Sequence, residues 1–383
     1  MEETVKGFKD FTGEEAVKRA AIKKILVDTF EKYGFEPAEA PIIEFEEFVK
    51  GDNKEDEAVS NIFKLEDKGK RKLALRYELT FQLKRLMKNK KLPYKRYQIG
   101  EVFRDEPVQG NRLRQFTSCD ADIVGANIQD EAEILSMVKE FLEELKIKFT
   151  IYINNRKLMN EILDEFKIKE KDKVIREIDK LDKLSAQEVQ QNLKKFGAEK
   201  VIDIFKKEKK YFEKYKSYEE IKELKKYCKI YGVNVVFLPS LARGLSYYNG
   251  TVFEVKSDIK ETILGGGRYV FNGIQSIGFG VSIERLEIVS KIKPEKEKTL
   301  IISINEDKKA ISISQKLREQ GNKVEIFYNK VSKALDYANS KGIDKVIFIG
   351  RDEVKKGKFK IRDMKSGREK LVSESELMKE YGK

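Results

Sequence analysis

The chain has 383 residues, 40% hydrophobic and 38% charged, a balance that excludes a disordered chain and predicts two or three domains with a sizeable core. Net charge is +13, and residues 297–383 hold 21 lysines and arginines against 14 carboxylates, a basic balance that is a solvated surface by default and a polyanion footprint only with support elsewhere. There is no histidine at all, which excludes Ser-His-Asp and Cys-His devices and any His-ligated metal.

Thr12-Gly-Glu-Glu15 reads as a capping box opening a helix with apolar positions at Val17, Ala21, Ile25 and Phe30, ended by Gly34. Strand-like text follows at 39–45 and 72–76, then a helix over 78–88. KRYQIGEVFR (95–104) and RQFTSCDADIV (114–124) read as two strands joined by DEPVQGNRL, a loop too long for a tight turn. Residues 130–146 predict an amphipathic helix with Ile134, Met137, Phe141 and Leu145 on one face. Residues 154–232 contain no proline, and lysine and glutamate alternate with a helical apolar stripe. A helical insertion is expected there. Strand signals return at 233–238, 251–256 and 277–281. A charged linker, KIKPEKEK, follows near Pro294. Beyond it, strand, helix, strand, helix, strand over 300–349 predicts a small α/β domain with a mainly parallel sheet.

No run of 18 apolar residues occurs, so no membrane span is expected. The charged N-terminus lacks the apolar core of a signal peptide. Cys119 and Cys228 match no metal spacing and read as reduced thiols, which predicts a cytoplasmic protein.

Neither a Walker loop nor a GxGxxG in its required context is present. Three clusters carry the chemistry instead. Strand alternation puts Ser118, Asp120 and Asp122 on one face, with Arg104, Arg112 and Arg114 at its rim. That mixture suits a zwitterionic or cationic ligand beside a phosphate, although single exposed ion pairs are worth little. Arg76-Tyr-Glu-Leu-Thr80 repeats it. LARGLSYYNGTVFEV (241–255) and ILGGGRY (263–269) set an arginine and phenols beside a glycine run, which reads either as a turn or as backbone that a ligand touches.

Together these segments resemble the histidyl-tRNA synthetases, a family of class II aminoacyl-tRNA synthetases. FRDEPVQGNRLRQFTSCDADIVG (103–125) is similar to class motif 2, IGFGVSIERL (277–286) to motif 3, and Pro41 to the motif 1 proline. RGLSYY and GGGRY are similar to the two histidine signatures. Residues 154–232 resemble the insertion of archaeal and eukaryotic members, and 299–373 the anticodon-binding domain. The resemblance implies an α+β catalytic domain with a six-stranded, mainly antiparallel sheet, laid out as 1–153 and 233–293 around the insertion 154–232. A C-terminal anticodon-binding α/β domain at 299–383 follows. It implies ATP as substrate with Mg²⁺, no tightly bound metal, tRNA(His) and histidine as partners, a homodimer and no membrane association. By position, Arg104 and Arg243 flank the α-phosphate. Glu106 lies near the adenine, and Arg112 and Arg285 clamp the outer phosphates. Glu78 and Thr80 hold the α-amino group, while Ser118, Asp122, Tyr247, Tyr248, Gly266 and Tyr269 line the amino-acid pocket together with Arg243. The chain departs from the pattern at Ser118, where glutamine is common, at Ser246, where aspartate is, and in the loop text PVQGN. The alternative is a non-catalytic paralogue, such as the regulatory subunit of histidine biosynthesis, which lacks the C-terminal domain.

Overall fold

The computed structural model describes residues 3–51, 57–108, 112–244, 247–293, 298–328 and 330–382, the side chains of 57 and 58 apart. The chain forms two compact units, Met1–Ile292 and Lys293–Lys383.

The first unit is built on an eight-stranded sheet. Its order is Glu36–Pro37, Tyr94–Phe103, Gln115–Val124, Ile274–Ser282, Leu264–Phe271, Tyr248–Lys256, Thr150–Asn155, Val235–Phe237. The six inner strands pair antiparallel throughout. The two short edge strands add in parallel. The expected six-stranded antiparallel sheet is therefore the centre of a wider one. A three-stranded sheet of Ile43–Phe45, Lys72–Leu75 and Lys64–Glu66 stands apart. Pro41 lies between Glu36–Pro37 and the first strand of this sheet, so only the last three residues of the expected strand over 39–45 are strand.

Two helices cover one face of the large sheet. Ile128–Glu144 starts from a complete capping box on Asn127 and Asp130, and Ile134, Met137, Phe141 and Leu145 are all fully buried. Gly13–Lys32 differs from its sequence reading. Thr12 makes no side-chain cap, and Glu15 instead pairs with Lys9. Its buried stripe is Arg19, Ile22, Leu26, Thr29 and Phe30, whereas Val17 is exposed. A charged residue occupies the buried face, which displaced the apolar reading. Arg19 is satisfied there by Glu284 (2.7 Å), Thr117 (3.0 Å) and the Phe11 ring (3.7 Å). Phe30, Phe141 and Phe279 pack ring to ring between helices and sheet, with centroids 6.1–6.2 Å apart. Such rings contribute roughly 1.5–3 kcal/mol each by burial.

The predicted helix over 78–88 shrinks to Leu83–Leu86. Leu79 and Phe81 are drawn into the interior, and Gln82 is buried against Pro41 O and Glu44, both at 2.7 Å. Residues 78–82 follow those anchors rather than a helical period. The segment between Thr150–Asn155 and Val235–Phe237 is helical. Its Leu158, Ile162, Val174, Ile178 and Leu193 share one hydrophobic cluster with Ile153, Phe253 and Val255 of the sheet.

The second unit has a five-stranded sheet, ordered Lys323–Phe327, Lys298–Ile304, Lys345–Gly350, Lys358–Asp363, Glu369–Ser373. The first three strands are parallel, as the alternating pattern predicts. The last two form an antiparallel hairpin that the sequence reading omitted. Among the described residues, no helix is long and apolar enough to cross a membrane.

Candidate functional site

Strand register assembles the site. Ser118, Asp120 and Asp122 lie opposite Ser282, Gly280 and Gly278 on one side, and opposite Gly100, Gln98 and Arg96 on the other. Paired residues share a face of the sheet, so each acid faces a glycine. A Cβ on Gly278 would meet Asp122 Oδ1 at 2.0 Å, and one on Gly280 would meet Asp120 Oδ1 at 3.1 Å. Gly265 completes this face. A Cβ there would meet Arg243 Nη1 at 2.4 Å.

The result is a cavity of about 210 Å³. Of the site residues that the resemblance implies, all but Gly266 line it: Glu78, Thr80, Arg104, Glu106, Arg112, Ser118, Asp122, Arg243, Tyr247, Tyr248, Tyr269 and Arg285; Arg76 and Arg114 of the sequence clusters do not, and donate to Ala40 O and Glu106 O instead. Gly266 does not line the cavity. GGGRY is not a turn but part of the strand Leu264–Phe271. Strand alternation turns Gly266 to the core, where a Cβ would meet Gly278 O at 2.3 Å and the Phe253 ring at 2.6 Å. Its neighbour Gly265 is the glycine that lines the cavity. Ser246 and residues 109–111 of the PVQGN loop lie outside the described residues.

One part of the cavity is cationic. Arg285 sits on the helix Ile283–Val289, whose cap Ser282 accepts from Arg285 N at 3.2 Å. Its guanidinium donates to Thr262 O at 2.5 Å. Burial, then the charges of Arg112, Arg104 and Arg243, holds it below the usual arginine range. Arg104 donates to Tyr77 O at 3.1 Å and lies over Phe116. Arg112 pairs with Glu106 at 2.9 Å. Arg243 donates to Glu254 at 2.6 Å, and Thr262 Oγ1 donates to the other Glu254 oxygen at 3.0 Å. Burial pulls Arg243 down, but Tyr248, Glu254 and Asp179 outweigh it and leave it above the ordinary range.

The other part is acidic and phenolic. Tyr269 donates to Asp122 Oδ1 at 2.6 Å, and Arg96 lies 2.7 Å from Asp122 Oδ2. Burial raises Asp122, while Arg96 and Tyr269 oppose it. Tyr247 packs on Tyr248 and Tyr269, with centroids 4.7 and 5.7 Å away. Burial raises all three phenols, which keeps them protonated and able to donate. Ser118 donates to Asp120 at 2.5 Å. The Ser118 hydroxyl thus has a carboxylate partner of its own.

Asp120, placed on the acidic face by strand alternation, lines the cavity. Three further contributors had no role in the sequence reading. Arg96 and Glu254 are charged residues inside strands, fully or nearly buried; a lone charge in an apolar run was the available signal for Glu254, whereas Arg96 stands in the polar text KRYQ and left none. Asp179 comes from a distant helix and left no local signal.

Guanidinium groups from four chain segments beside acids and phenols define a site that activates a carboxylate on a nucleotide, the work of a class II aminoacyl-tRNA synthetase. Comparison with known proteins narrows this. A family model described as histidyl-tRNA synthetase matches residues 7–286, and one described as anticodon binding domain matches 298–382. Histidine–tRNA ligase 1 of Bacillus cereus is 34% identical over 97% of this chain and 98% of its own. The crystal structure of histidyl-tRNA synthetase from Nostoc sp. PCC 7120 superposes with a TM-score of 0.86 at 25% identity, over 100% of this chain and 99% of that one. An ATP phosphoribosyltransferase regulatory subunit/histidyl-tRNA synthetase from Bacillus halodurans shares the fold, with a TM-score of 0.76 at 20% identity over 91% and 98% of the two chains. The chain belongs to the histidyl-tRNA synthetase family.

Proposed function

We infer that this protein activates histidine with ATP to histidyl-adenylate and transfers the histidyl group to tRNA(His). The observation that carries the reading is the joining of Arg104, Arg112, Arg243 and Arg285 in one cavity with Glu78, Asp122 and three phenols.

In the first step the substrate carboxylate attacks the α-phosphorus in line and pyrophosphate leaves. A carboxylate is already the nucleophile, so no general base is needed, and the missing histidine is no obstacle. Negative charge spreads over phosphate oxygens, and fixed guanidinium groups stabilise it without reorganising. Arg104 and Arg243 take opposite sides of the α-phosphate. Arg112 and Arg285 hold the leaving pyrophosphate, with Mg²⁺ arriving as part of the ATP substrate, and Glu106 lies towards the adenine. Glu78 and Thr80 hold the α-ammonium group.

Imidazole presents two ring nitrogens. Asp122, fixed by Tyr269 and Arg96, accepts from one, and Tyr248 addresses the other. A buried site built to bond both nitrogens rejects side chains that lack them. In the second step a ribose hydroxyl of tRNA attacks the acyl carbon and AMP leaves. The basic second unit holds the anticodon region. The chain works as a cytoplasmic homodimer, with residues 154–232 as an insertion between catalytic parts 1–153 and 233–293 and the anticodon-binding domain at 299–383.

The regulatory-paralogue alternative has only the shared fold behind it. Retention of Arg104, Arg243 and Arg285 in the cleft and the family match over 298–382 favour the enzyme. ATP–pyrophosphate exchange across all amino acids tests this. Exchange should require histidine, and Arg243→Ala should lower it by roughly 10²–10³. Exchange driven by another amino acid, or by none, defeats the reading.

A further inference from the structure

Asp179 is the last residue of the helix Lys171–Asp179. A carboxylate there opposes its own helix dipole, so helix stability does not account for it. Its helix is fixed by Val174, Ile175 and Ile178, buried in the cluster that includes the large sheet. The next turn is tied to the strand Tyr248–Lys256 by Lys256 and Asp182, 2.5 Å apart. Asp179 Oδ2 lies 2.9 Å from where a Cβ on Gly244 would stand. Glycine at 244 therefore leaves room for this acid beside Arg243. Arg243 Nε is buried without a hydrogen-bond partner among the described residues, while Nη1 donates to Glu254 at 2.6 Å. Burial pushes the Asp179 carboxyl up to about 6 against the pull of Arg243, with Glu254, Asp182 and Lys183 as its other charged neighbours.

We propose that Asp179 is a positioning residue for Arg243, through which the helical segment 156–230 sets the geometry of histidine activation. The proposal rests on the reading that Arg243 acts at the α-phosphate. Glu254 bonds the guanidinium at Nη1, Asp179 pulls on it by charge from beside Gly244, and loss of that pull lets the group swing within the cleft. A misplaced charge stabilises the transition state less while ground-state binding of histidine is largely kept.

The test uses the full chain and histidine-dependent pyrophosphate exchange. Asp179→Asn and Gly244→Ala should each lower kcat roughly tenfold. The KM for histidine should stay within about twofold and the melting midpoint near that of the parent. Both substitutions disturb one contact, so Gly244→Ala combined with Asp179→Ala should be no slower than Asp179→Ala alone. Parental kcat in Asp179→Asn overturns the proposal. So do losses that multiply in the double variant, or a kcat loss that tracks a lowered midpoint. A parent chain with no exchange at all removes the underlying reading instead.

Discussion

Asp120 is nearly buried at 6% exposure, and its carboxyl is pushed from 3.8 up to about 6. Burial is the main cause and Asp122 adds to it, while Arg96, the Ser118 hydrogen bond and Arg104 pull the other way. The sign of its effect on stability follows. Between pH 4 and 6 the folded chain keeps this proton while the unfolded chain loses it, so stability falls as pH rises through that window. Two pH units correspond to about 3 kcal/mol as an upper figure. Asp120→Asn should therefore gain stability over the parent as pH rises from about 4 to about 6, and hold that gain at pH 7. Melting curves across this range check it, and a difference that does not change with pH refutes it. Keeping such a group in a cleft is a cost that active sites commonly carry.

Adjacent glycines in one strand have opposite duties. At Gly265 an added methyl meets the far end of Arg243, which can move. Gly265→Ala should keep the melting midpoint and lose activity, by about a hundredfold, since it displaces a group aimed at the phosphate. At Gly266 the methyl meets backbone oxygen and a fixed Phe253 ring. Gly266→Ala should lose roughly 1–3 kcal/mol of stability. Midpoints and exchange rates measured on both variants separate the roles, and equal effects on both readouts contradict the assignment. This pair also marks the limit of what was legible in the sequence. The acid face 118–122 was readable because strand alternation needs only local text. GGGRY was not, because without knowing that it is a strand its parity has no meaning. The helix at 78–88 was over-read because Leu79, Phe81 and Gln82 answer to distant partners. Arg19 hid the true face of the first helix for the same reason.

At the scale of the molecule, the order of segments was legible. The alternation beyond residue 298 gave the parallel part of the second sheet, while the hairpin Lys358–Ser373 went unread. What no local pattern contains is convergence. Arg104, Arg112, Arg243 and Arg285 come from a strand end, a hairpin loop, a coil and a helix, and only the assembled sheet brings them together. Burial, and then the charges of Arg112, Arg104 and Arg243, hold Arg285 below its usual range, so part of the cost of this cleft is like-charge strain. ATP should relieve that strain and raise the melting midpoint, worth about 2.7 kcal/mol at a hundredfold excess over its Kd. No rise at saturating ATP would contradict this. The nucleotide is then ballast as well as reagent. A cell short of fuel would hold this protein in its least sturdy form, and the first molecules lost would be the idle ones.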